Sequence, residues 1–221
     1  MKIRCSALGK VMTNARKKGE LSKTAQSYVK TYLKEQQYGK RIFFSSKQTV
    51  KGNMMEEQAI QLLSATYDLP FIEKNETHFA NEYVTGTPDV ITPNAIRDIK
   101  CSWSLDTFPI YETELPNSDY YWQMQGYMWL TDKPVAFIDY CLMDTPTHLL
   151  QSEYRIEARK QGVDELTDEQ RDTITHALTY SDVDAKMRIK TFEVQRDEQA
   201  IERIIERVKE CNNFKNQIIN N

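Results

Sequence analysis

Three extended stretches near residues 71–80, 83–92 and 95–102 follow one another with only Asn81-Glu82 and Thr92-Pro93-Asn94 between them. Residues of these types favour tight reversals, and connections this short leave room for turns alone. Strands joined so closely lie side by side, so the segment reads as an antiparallel meander. A helix over about 53–66 precedes it, with Met55, Ala59, Leu62 and Leu63 as the apolar stripe. Aromatic-rich residues 118–130 predict a second helix, and Val135–Met143 a buried strand that ends at the Asp144–Pro146 break. The resulting order is helix, three strands, helix, strand: an α+β core of order αβββαβ.

The flanks are mostly helical. Ser22 is placed to cap a helix over 22–38, in which Ala25, Tyr28, Val29, Tyr32 and Leu33 repeat at helical spacing and Gly39 ends the run. Residues 150–180 are polar and read as helical, 186–194 alternate like a strand, and 198–217 place Ile201, Ile204, Ile205, Val208 and Cys211 on one helical face. With 221 residues and no repeat or low-complexity linker, the chain reads as one domain: a segment 1–52, a core 53–143 and an extension 144–221. No apolar run reaches membrane-spanning length and mean hydropathy is -0.64, so a soluble, cytoplasmic protein without membrane contact is expected. Cys5, Cys101, Cys141 and Cys211 show no metal-binding spacing and are expected to be reduced and packed.

The net charge of -3 hides an asymmetry. Residues 1–52 hold 13 lysines and arginines against 2 glutamates; the remaining 16 basic and 30 acidic groups of the totals 29 and 32 lie beyond. A basic segment beside an acidic body suits a polyanionic partner, although lysines on the exposed face of an N-terminal helix would look the same.

Chemistry concentrates in the meander. Gly86-Thr87-Pro88-Asp89 stands nine residues before Asp98-Ile99-Lys100, on an adjacent strand. Strand side chains alternate, so Asp98 and Lys100 share a face while Ile99 points into the core and leaves its carbonyl free to act as a ligand. Carboxylates hold hard divalent cations, a bound cation generates hydroxide from water, and a lysine can orient that water: the set suits metal-assisted phosphodiester hydrolysis. The triplet alone is weak. Asp184-Ala185-Lys186 repeats the acid-x-lysine pattern without a Pro-Asp before it, and such patterns fall more often on a solvated face than on a site. Two features add weight. Glu56 follows Gly52-Asn53-Met54-Met55 at the expected opening of a helix, where it can reach toward the sheet or simply complement the macrodipole. Gln123 lies four residues before Tyr127 on an aromatic helix that would otherwise read as plain core. His78, His148 and His176 form no cluster.

Together these elements, over roughly residues 3–143, resemble the PD-(D/E)xK nuclease superfamily, and within it the lambda-exonuclease or YqaJ-like viral recombinases and the RecB-type nuclease domains. The resemblance implies a restriction-endonuclease-like fold, a mixed central sheet flanked by helices with extra N- and C-terminal helices. It places Glu56 on the family's helix glutamate, Asp89 on the Pro-Asp aspartate, Asp98 and Lys100 on the acidic-x-Lys motif, and Gln123 on the following helix. Glu56, Asp89, Asp98 and the Ile99 carbonyl would hold Mg²⁺, for which Mn²⁺ can substitute. Lys100 would orient water, and Gln123 would position water, Lys100 or the DNA backbone. Ile3-Arg4-Cys5-Ser6 looks like the branch's phosphate-contacting segment, so Ser6 is a DNA-binding candidate. The chain starts too close to Ser6 for the branch's upstream arginine, a role that falls here to Arg4 or to Arg16, Lys17 and Lys18. The first acid of the last motif is Asp98 where this branch more commonly has glutamate. The implied activity is 5′ to 3′ exonuclease action on double-stranded DNA ends in phage-type recombination. Its implied setting is a homo-oligomer, a ring trimer in the family, beside a single-strand-annealing protein. An endonuclease or single-strand nuclease on the same core, or an inactive nucleic-acid-binding module, are the alternatives.

Overall fold

The computed structural model describes all residues except Lys18, Pro70, Phe71 and Asn221. A two-residue strand β1 (Ile3–Arg4) leads through a 3-10 turn at Cys5–Ala7 into the short helix α1 (Leu8–Val11). Helix α2 (Lys23–Tyr38) has the expected ends: Ser22 Oγ accepts from the Ala25 N–H at 3.0 Å, and Gly39 adopts φ 61°. Helix α3 (Lys47–Tyr67) starts well before residue 53, because Ser46 caps it by accepting from the Thr49 N–H at 3.2 Å. Gly52 therefore lies inside α3 and does not open it, and Glu56 sits mid-helix, where the macrodipole explanation for its charge does not apply.

The meander is broken in two. Residues 72–78 are irregular and only β2 (Phe79–Ala80) is strand; the second stretch divides into β3 (Val84–Gly86) and β4 (Val90–Ile91), which belong to different sheets. The division falls at Thr87-Pro88-Asp89, where proline has no N–H to continue a ladder. In the small sheet β1 runs parallel and β2 antiparallel to β3. The larger sheet takes β5 (Ala95–Ser102), β6 (Val135–Leu142) and β7 (Ile189–Gln195) in the order β4-β5-β6-β7, with antiparallel, parallel and antiparallel pairing in turn. It is the mixed sheet of a restriction-endonuclease-like fold.

Helix α4 (Ser118–Thr131) joins β5 to β6 as a crossover connection. The extension holds α5 (Thr147–Gln161), α6 (Asp168–Leu178) and α7 (Glu198–Ile219), so 150–180 is two helices separated by Gly162 at φ 70° and the Thr167 capping box. Asp184-Ala185-Lys186 falls on a 3-10 turn before β7, where Asp184 merely caps the Lys186 N–H. Among the described residues no helix is long and apolar enough to cross a membrane. The four cysteines are free, and Cys5, Cys141 and Cys211 are buried.

The larger sheet separates two apolar layers. Ile96, Ile138 and Phe192 pack with Met124 and Met128 of α4 and with the N-terminal elements. On the opposite face Ile99, Cys141 and Ile189 pack against Ala59, Ile60 and Leu63 of α3. Close approach of backbones holds α1 on α4: a Cβ at Gly9 would lie 2.5 Å from Asp119 Cα, and one at Gly126 2.6 Å from Leu8 Cδ1. Gly9→Ala is therefore expected to destabilise the protein by about 1–3 kcal/mol through overpacking, seen as a lower urea midpoint with unchanged slope.

Candidate active site

Alternation along β5 divides its side chains between the two layers. Ile96 points to the α4 side and Ile99 to the α3 side; Asp98, only 1% exposed, and Lys100 therefore face α4. The edge of β5 is open at this point, since β4 pairs only through Val90 with Arg97 and Ile91 with Ile96. Two residues beyond Arg97, the Ile99 N–H donates to Asp89 Oδ2 at 2.7 Å. A strand residue directs its N–H and C=O to the same side, so the Ile99 carbonyl also faces this edge.

Asp98 is held from two directions. Gln123 Nε2 of α4 donates to its Oδ1 at 2.9 Å, and Lys100 Nζ lies 2.5 Å from its Oδ2. The ion pair is close but poorly angled, leaving Oδ2 buried without a well-formed hydrogen bond. Gln123 also donates to the Tyr127 hydroxyl at 3.3 Å, and the Lys100 ammonium stands 4.6 Å from the centre of the Tyr120 ring. Gln123 is thus spent on Asp98, not on Lys100. Burial and the neighbouring Asp98 carboxylate push Asp89 up to about 8, despite the Lys100 ammonium and the Ile99 N–H that oppose the shift. Burial would lower Lys100, but Asp98 and Asp89 hold it raised. Burial, with Asp98 adding to it, also raises Tyr127.

Glu56, Asp89, Asp98, Ile99, Lys100 and Gln123 line one cavity of about 480 Å³. Glu56 reaches it from α3 but pairs with Lys74 at 3.1 Å. Among the described residues no three His, Cys, Asp or Glu side chains converge tightly enough to hold a metal unaided. Buried Asp98 with its underbonded oxygen, half-buried Asp89 and an edge carbonyl nevertheless fit a hard cation that keeps part of its water shell, the habit of Mg²⁺. Once Asp89 has lost its proton, Asp89 and Asp98 against Lys100 leave a net negative charge, which attracts such an ion.

Arg4 and Ser6 line a separate groove of about 1230 Å³ with Lys2, Lys10, Lys40 and Arg41, and Thr49 borders both spaces. Arg16 and Lys17 are exposed and line neither; Lys17 faces Glu20 at 3.9 Å, and Lys18 lies outside the described residues. Sequence reasoning missed Tyr120, although it stands three residues before Gln123 on one helical face. It also missed Lys51, which is fully buried and donates to the Trp103 carbonyl at 2.8 Å. No local pattern announces a contact between positions 51 and 103.

No family model matches the chain, and no curated protein matches it. Solved structures do. A phage-related exonuclease from Haemophilus somnus 129PT is 32% identical with a TM-score of 0.80, over 100% of this chain and 96% of that one. An alkaline exonuclease from Laribacter hongkongensis matches at 16% identity and a TM-score of 0.66, over 99% and 90% of the two chains. Its complex with dAMP matches at 15% and 0.67. At these lower identities the likeness is one of fold.

The raised Asp89 pKa has a signed consequence. From its ordinary value of 3.8 to about 8, the folded chain keeps a proton that the unfolded chain has lost, so this group's stabilising contribution falls as pH rises through that window. In EDTA, Asp89→Asn is expected to gain melting temperature relative to wild type between pH 4 and 8, with no further gain above. A pH-independent difference between the two proteins would contradict this account of Asp89.

Proposed function

The chain belongs to the phage-related exonucleases, in the lambda-exonuclease-like branch of the PD-(D/E)xK nucleases, and on that footing we propose that it is a Mg²⁺-dependent exonuclease degrading double-stranded DNA ends. The observation that supports this best is the meeting of Asp89, Asp98 and Lys100 at an open strand edge, in a cavity that borders a basic groove. Polarity from 5′ to 3′, use of Mn²⁺ as a substitute, a ring-shaped homo-oligomer, a single-strand-annealing partner and a role in phage-type recombination rest on the family resemblance.

When bound, a divalent cation supplies Lewis acidity at the phosphate and lowers the pKa of water. Asp89, Asp98 and the Ile99 carbonyl would hold it, and Glu56 would join them on releasing Lys74. The Lys100 ammonium, fixed between Asp98 and the Tyr120 ring, holds the attacking water and balances charge that develops on the phosphate. Gln123 keeps Asp98 in one rotamer by donating to Oδ1, which leaves Oδ2 directed at Lys100. Arg4, Ser6 and the lysines of the groove guide the duplex as part of a single domain, while Arg16 and Lys17 would contact DNA only beyond it.

End-labelled linear duplex and closed circular DNA, each incubated with Mg²⁺, provide the test. Linear DNA should be shortened from its 5′ ends and the circle spared. Asp98→Ala and Lys100→Ala should each lower kcat by roughly 10²–10³-fold, the usual cost of losing one preorganised charge at a reacting centre. DNA binding should weaken steeply with salt. Rapid nicking of the circle would turn the reading toward an endonuclease; linear DNA left intact would end the catalytic one.

A further inference from the structure

Gly52 stands in the second turn of α3, where glycine is the poorest helix former after proline. Neither packing nor conformation accounts for it. A Cβ at Gly52 would meet no atom within 4 Å, whereas one at Gly9, Gly86 or Gly126 would collide with a neighbour. The backbone is ordinary helix, and Gly52 is absent from the positive-φ glycines. The unfilled space beside it is the active-site cavity, which Gly52 lines together with Gln48, Thr49, Asn53 and Glu56 of the same helix. These positions recur at three- and four-residue spacing, so one face of α3 forms the wall opposite Asp98 and Lys100. Thr49, one turn earlier, also borders the basic groove. Gly52 therefore lies between the point where the groove meets the cavity and the carboxylates.

We propose that Gly52 is a substrate-contact position: its missing side chain leaves a bare strip of helix against which the sugar-phosphate backbone of the cut strand packs between Thr49 and Glu56. This deepens the nuclease reading and depends on it for the identity of the ligand. Gln48 and Asn53, both exposed, flank the strip and offer amide donors to phosphate oxygens. Nothing in the strip reads a base edge, so the contact is independent of sequence.

Gly52→Ala, Gly52→Leu and, as a control for added bulk, Gln58→Leu on an exposed part of α3 outside the cavity separate this role from a structural one. Because alanine and leucine are better helix formers, both Gly52 variants should melt about 2–4 °C higher than wild type. Their kcat/KM on linear duplex with Mg²⁺ should fall roughly 10- to 100-fold, mostly through KM and further for leucine than for alanine, with Gln58→Leu unchanged. Fluorescence anisotropy of a labelled duplex, with Ca²⁺ in place of Mg²⁺, should show Kd weakening in parallel. A folded Gly52→Leu with wild-type KM and Kd overturns the proposal, and so does a Gly52→Ala that melts lower than wild type, which would reveal a packing role. Should leucine prevent folding, unchanged KM and Kd in Gly52→Ala overturn it equally. If wild type binds DNA without cutting it, the nuclease reading fails, and the Kd comparison still decides the place of Gly52.

Discussion

The Ile99 N–H of β5 donates to the Asp89 carboxylate at 2.7 Å where another strand would ordinarily supply a backbone carbonyl. The site depends on this substitution. It ties the acid after Pro88 to the strand that carries Asp98 and Lys100, so groups from two chain segments share one rigid frame. It also keeps the β5 edge available, since a longer β4 would cover it with ladder bonds and seal the Ile99 carbonyl away. The cost is visible in the electrostatics: two carboxylates are brought together with one lysine, which pairs with Asp98, and desolvation with the Asp98 charge pushes Asp89 up to about 8. Folding thus stores a demand for positive charge at one point, and the protein meets it only in part.

Much of this frame was legible in the sequence because it obeys local rules. Period-two alternation put Asp98 and Lys100 on one face, and the Ser22 and Gly39 caps bounded α2 as written. The misses share a cause, which is that they depend on partners distant in the chain or on features that a periodic pattern skips over. Polar Lys47, Gln48 and Thr49 carry no apolar stripe, so the first turns of α3 were invisible until Ser46 was seen to cap them. Alternation continues across Thr87-Pro88-Asp89, which concealed the passage of the chain from one sheet to the other. Glu56 to Lys74 and Gln123 to Asp98 are pairings that only the folded chain creates. Counting lysines identified a basic segment but could not separate Lys2, Lys10, Lys40 and Arg41, which face the groove, from Arg16 and Lys17, which do not.

The extension, which matched no motif, braces the site from behind. Asp144, just after β6, accepts from the Tyr180 N–H at 2.5 Å, and the Tyr180 hydroxyl accepts from the Leu105 N–H at 3.1 Å. Lys51 donates to the carbonyl of Trp103, whose ring lies 4.4 Å from the Lys47 ammonium. Trp103 and Thr107 form part of the cavity wall. The segment 103–107, which closes on itself as a 3-10 turn at Leu105–Thr107 capped by Ser104, is therefore clamped between α3 and the residues after 144, and the wall keeps its shape.

Strand β7 and helix α7 come from residues 189–219. β7 pairs along nearly the whole of β6, and Arg207 of α7 donates to the carbonyls of Val11 and Thr13 at 2.9 and 2.8 Å. During synthesis the chain therefore emerges with its acids and its lysine already made but its sheet unfinished. The edge of β6 stays open to mispairing, and the N-terminal elements lack their brace. A chain interrupted before residue 189 would be a hazard of aggregation before it could be one of cleavage.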